Sequence, residues 1–61
     1  MNQKIVNIYL NMKIEGLFVF ITQAGKINYF PWGVDAIVER DGKLTKVFVP
    51  WTSIEYIEEV I

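Results

Sequence analysis

The sequence predicts a mainly β protein, a small and strongly bent antiparallel β-barrel of five to six strands that takes up the 61 residues as one domain. Three observations carry that expectation. Apolar residues recur with period two over most of the chain, which is the strand period and not the helical one. Turn dipeptides punctuate it at Glu15-Gly16 and Asp41-Gly42, with Gly25 and Pro31 between them. The segments left between are rich in β-branched and aromatic residues, which suit a pleated, half-buried surface.

Residues 4–14 alternate, with Val6, Ile8, Leu10, Met12 and Ile14 on one face and Asn7, Asn11 and Lys13 on the other. Eleven residues is long for a strand, so this one must bend. Glu15-Gly16 turns the chain, and residues 17–22, Leu-Phe-Val-Phe-Ile-Thr, form a strand apolar on both faces. One of those faces is in excess of what a single sheet needs and is expected to meet a partner. Gln23-Ala24-Gly25-Lys26 is a hairpin turn, and residues 27–30 are a short strand stopped by Pro31, which cannot donate to a ladder. Residues 34–40 place Val34, Ala36 and Val38 on one face and Asp35, Ile37 and Glu39 on the other. Asp41-Gly42 is a two-residue hairpin turn of the primed type, and residues 43–49 pair back, their lysines suiting an exposed edge. The carboxyl end stays open between two readings. Thr52-Ser53-Ile54-Glu55 fits a capping box leading into a short helical turn, and the same segment fits a turn followed by a strand.

A chain this short buries only about 60% of its unfolded surface, and such a core usually needs a staple. The sequence has no cysteine and no histidine, so neither a disulfide nor the commonest metal ligands are available. Apolar content of 52%, with two Trp, three Tyr and four Phe, leaves a dense core and self-association as the means of support. A homo-oligomer is therefore expected, with Phe18 or Phe20, whichever faces outward, at the interface.

Net charge is −1, and Lys4, Lys13, Lys26, Arg40, Lys43 and Lys46 form no run. Nucleic-acid binding, which draws on lysines and arginines that displace counterions, is disfavoured on that balance. It remains the alternative function, with stacking aromatics and the Arg40, Lys43 and Lys46 hairpin as its surface. The amino end shows no apolar signal core, and the longest apolar run, residues 17–21, is far too short to span a bilayer. A cytoplasmic protein with no membrane partner is the expectation.

Two stretches carry the same order of residues. Tyr29-Phe30-Pro31-Trp32-Gly33-Val34-Asp35 and Phe48-Val49-Pro50-Trp51 each end a strand on a Pro-Trp corner. Tryptophan and tyrosine are enriched among interface anchors. If both corners share a rim, Trp32, Tyr29, Phe30, Trp51 and Tyr56 form an aromatic patch for a protein partner. The plain alternative is that each indole plugs one end of the core. The setting of the two differs: Trp51, before a tight turn and an apolar tail, is expected in the core, and Trp32, before Gly33, at the surface. No catalytic, cofactor or metal site is read. Ser53 has no base beside it, the glycines are isolated, and Glu55, Glu58 and Glu59 read as a solvated face. The expected function is that of a non-enzymatic, self-associating protein-interaction module without a cofactor.

The carboxyl-terminal third resembles the second motif of Sm-like proteins and the ending of small Src-homology-type β-barrels. Val47-Phe48-Val49 and Ile54-Glu55-Tyr56-Ile57 stand as the two strands on either side of a one-turn break. The family's Arg-Gly at that break is Pro50-Trp51 here, and its first-motif Asp and Asn have no counterpart between Gly16 and Phe30. The resemblance therefore implies the barrel shape and a tendency to associate, without an RNA site.

Overall fold

The computed structural model describes residues 4–61. Six strands run in chain order: β1 (Ile5–Ile14), β2 (Leu17–Gln23), β3 (Ile27–Tyr29), β4 (Gly33–Arg40), β5 (Lys43–Pro50) and β6 (Ile54–Val60). Single 3-10 turns lie at Ala24–Lys26 and Trp51–Ser53. No α-helix is present among the described residues. The carboxyl end is thus a turn and then a strand.

The strands form two antiparallel three-stranded sheets, ordered β2-β1-β6 and β3-β4-β5. No closed barrel is found, so that part of the sequence expectation is not confirmed. The physical reason lies at β2 and β4. The 3-10 turn at Ala24–Lys26 breaks the run from β2 into β3. No backbone ladder joins β2 to β4 among the described residues. One side chain spans the junction: the Thr22 hydroxyl donates to the Ile37 carbonyl at 2.6 Å. That bond satisfies a carbonyl just beyond the last β3–β4 pair, Ile27 with Ala36. Farther along, Arg40 pairs with Glu15, so the tips of the two long hairpins are clasped.

Both tips are two-residue turns of the primed type. Glu15 and Gly16 take φ of 52° and 81°, and Asp41 and Gly42 take 52° and 77°. Positive φ at both central residues matches the right-handed twist of the flanking strands. The bend expected of the first strand is present as slips in pairing. Its register with β2 shifts between Tyr9 and Ile14, and its register with β6 shifts between Tyr9 and Leu10. Bulges of this kind bend a strand and raise its twist. They also account for Met12, which is half-exposed and not in the core as its alternation suggested.

The core lies between the sheets. Val6, Ile8, Leu10 and Phe20 come from one sheet, and Ile27, Val34, Ala36, Val38, Val47 and Val49 from the other. It consists mainly of aliphatic residues, with Phe20 as its one aromatic side chain. Phe20, 2% exposed, is therefore unavailable as an outward interface residue, which corrects its expected place there. Phe18 is 54% exposed with the Lys13 ammonium over its ring, and Leu17 and Ile21 are exposed on the opposite face of β2.

Candidate functional site: an aromatic corner

The corner is built by the register of one hairpin. Arg40 pairs with Lys43 across the Asp41-Gly42 turn, and the ladder continues without a slip to Gly33 opposite Pro50. One step beyond, Trp32 meets Trp51, whose backbone N–H donates to the Trp32 carbonyl at 3.2 Å. The two Pro-Trp stretches are therefore one structure, the two sides of the same hairpin end.

Each side is fixed by local backbone. Phe30 and Gly33 exchange hydrogen bonds, Phe30 N–H to the Gly33 carbonyl at 2.7 Å and the reverse at 3.2 Å. This closes a tight turn with Pro31 and Trp32 at its centre. Neither takes positive φ, and proline suits the first central position of such a turn. Trp32 is carried at the tip and stays half-exposed. Gly33 is required where it stands. A Cβ there would lie 2.2 Å from the Val49 carbonyl oxygen and 2.8 Å from the Pro50 Cα. The other side is the 3-10 turn Trp51–Ser53, from which the Trp51 indole N–H donates to the Phe30 carbonyl at 2.8 Å.

The rings then meet in two groups. Tyr29 stacks on Trp51 with centroids 6.4 Å apart, and Phe30 stacks on Trp32 at 5.2 Å. Trp32 in turn leans on Phe48 at 6.3 Å, with a tilt of 33°. Phe48 was not among the sequence candidates. Its signal was present: Val47 and Val49 alternate into the core, which turns Phe48 outward. Fractional exposures are 55% for Tyr29, 36% for Phe30, 51% for Trp32, 61% for Phe48 and 40% for Trp51. Trp51 is thus a tethered rim residue and not the core plug expected of it. The aliphatic residues already fill the core, and its own indole bond holds it at the edge.

Tyr56 is not part of this corner. It lies on the other sheet, directly opposite Tyr9, and stacks on it with centroids 4.5 Å apart. Beside that pair, Glu58 accepts from the Tyr9 hydroxyl and the Asn7 amide, each at 3.2 Å. Partial burial, with the Glu58 charge second, raises the Tyr9 pKa above the ordinary tyrosine value. Tyr29 is raised as well, again by burial first and by the Glu59 charge second.

Beneath the corner lies a carboxylate. Asp35 points away from the core residues Val34 and Ala36, yet it is only 7% exposed. Its neighbours across the strands are Asn28 on β3 and Phe48 on β5. The Asn28 amide donates to one of its oxygens at 2.9 Å. Of the cations named in the nucleic-acid reading, Arg40 is held by Glu15, and Lys46 pairs in register with Ile37. Among the described residues, no group of three acidic side chains is gathered to hold a metal ion. No helix is long and apolar enough to cross a membrane. The chain matches no protein-family model, no curated protein and no solved structure, so its function is to be read from this geometry.

Proposed function

We propose that the protein is a non-enzymatic interaction module, built on an open-barrel scaffold, that binds a partner protein through the corner formed by Tyr29, Phe30, Trp32, Phe48 and Trp51. The observation that supports this is the size of the exposed aromatic surface. The three rings in mutual contact, Phe30, Trp32 and Phe48, at roughly 150–250 Å² each and about half exposed, offer on the order of 300 Å². That already matches the largest apolar patch on a typical monomer, about 300–600 Å². It is over a third of the roughly 800 Å² that each side of a standard interface buries. The rings are also held in place before binding, by mutual stacking and by the indole bond to Phe30, which lowers the ordering cost of association.

The nucleic-acid reading draws less support. Stacking rings are present, but the acid beneath them repels phosphate, and Arg40 is engaged by Glu15. Self-association belongs to the same proposal, through the apolar strip along edge strand β2, which exposes Phe18 on one face and Leu17 and Ile21 on the other. Sedimentation at high micromolar concentration tests it. A dimer or larger species supports the strip as an interface, and a monomer refutes it.

The partner surface is tested by affinity capture from the host lysate with wild-type protein, Trp32→Ala and Phe48→Ala. Each variant is expected to lose the captured protein while keeping the wild-type circular dichroism spectrum. Capture undiminished in both variants contradicts the proposal.

A further inference from the structure

Asp35 presents an imbalance of charge. A carboxylate more than nine-tenths buried normally has a cation beside it. Here its one bonded neighbour among the described residues is the neutral Asn28 amide, which occupies a single oxygen. The second oxygen is bonded by no other described group. The ion pair found among the described residues, Arg40 with Glu15, lies at the far end of the same hairpin. Lys46 is the nearest cation by register, one step along the outer face from Phe48, and it forms no ion pair with Asp35.

Across from Asn28, the strand neighbour of Asp35 is aromatic. Phe48 is the direct cross-strand neighbour of Asp35, and facing side chains in such a pair stand roughly 5 Å apart at Cβ. Trp32 leans on Phe48 and Phe30 backs Trp32. A ring face attracts a cation. Of the biological cations, a guanidinium does most with this set, since it is flat enough to stack on an indole and carries a fork of donors for a carboxylate. Trp51 cannot offer its indole N–H to a ligand, because that donor is already bound to Phe30. The corner's remaining chemistry is ring faces and one negative charge.

We propose that the corner receives an arginine side chain of the partner protein, stacked against Trp32 and Phe48 and paired with Asp35. This rests on the interaction reading above and names the chemistry its partner must present. An acidic or phosphorylated segment would meet Asp35 with like charge, and a purely apolar one would leave Asp35 buried without a cation.

The test is an NMR titration of the full chain with the capped tripeptide Gly-Arg-Gly, alongside Gly-Lys-Gly and Gly-Gln-Gly. The arginine peptide should give saturable shifts at the Trp32 indole N–H and the Asn28 side-chain amide, with the lysine peptide weaker and the glutamine peptide without effect. Asp35→Asn, which keeps shape and removes charge, should weaken arginine binding about tenfold or more. Should that variant fold poorly, Trp32→Leu at the exposed tip should weaken it comparably, and Lys46→Gln should leave it intact. Equal binding of the glutamine peptide, no saturable shift with arginine, or undiminished binding in Asp35→Asn overturns the inference. So does a Lys46→Gln variant that loses stability, because Lys46 would then be the missing cation. Partner capture that depends on Trp32 but not on Asp35 would sink this inference alone. Arginine binding by a protein that captures no partner would sink the wider reading instead.

Discussion

Individual side chains divide into those that hold the corner and those that face outward from it. Trp51 holds it, through the indole bond to Phe30 and the stack on Tyr29. Trp51→Phe keeps a ring and removes the donor, so it should cost about 1 kcal/mol, the usual worth of one hydrogen bond. Urea unfolding measures this. Trp32 and Phe48 face outward, and their truncation should change stability little. Both indoles are exposed, so quenching of tryptophan fluorescence in single-Trp variants should reach each of them, with Trp32 quenched more strongly. A protected Trp51 would restore the core plug. The tyrosines add a pH dependence. Tyr9 and Tyr29 have pKa values raised in the fold, so the folded state holds these protons more tightly than the unfolded chain. Their contribution to stability is complete below the ordinary tyrosine pKa of about 10 and is lost as pH rises through the folded values. Tyrosinate absorbance should therefore show late-titrating steps that disappear in Tyr9→Phe and Tyr29→Phe. Ionisation of both at the ordinary value would contradict the burial assigned to them.

Strands and turns show how far the sequence could be read. The Glu15-Gly16 and Asp41-Gly42 turns, the stop at Pro31 and the core face of β4 were legible, because each follows from local backbone preference or a simple alternation. The meeting of the two tryptophans was legible too, and was read only as a condition. Trp32 stands eight residues before Arg40 and Trp51 eight after Lys43, so a hairpin centred on Asp41-Gly42 with no slip must bring them together. The slips in β1 were not legible, since a bulge depends on what the two neighbouring strands impose, and they moved Met12 off the core face. The interface candidates Phe18 and Phe20 share one face of β2 by alternation, and only the packing of the second sheet over Phe20 separates them. Gly33 is the element-scale test. Gly33→Ala would drive a methyl into the β5 backbone. Overpacking of this kind costs typically about 1–3 kcal/mol, and more where backbone is the obstacle. Circular dichroism should show a largely unfolded chain, and a folded Gly33→Ala would mean that β4 and β5 are farther apart than described.

The molecule as a whole is two small sheets around a core rich in valine and isoleucine, with its large aromatics displaced to the surface. That arrangement is unusual for a chain that needs every buried atom, and it is the reason for assigning the corner to binding. A core of this size supplies roughly 3–5 kcal/mol, so Ile8→Ala, at about 2–5 kcal/mol for a fully buried position, should leave little folded protein. The aromatic corner should behave in the opposite way. The most direct test is therefore to measure Trp32→Ala twice, once for thermal stability and once for binding to the captured partner. The account predicts a melting temperature close to wild type together with a loss of affinity of about 2 kcal/mol or more, as for interface anchors. A fall in stability of roughly 3–5 kcal/mol, the cost of removing a buried tryptophan, with the affinity of the remaining folded protein unchanged, would contradict it.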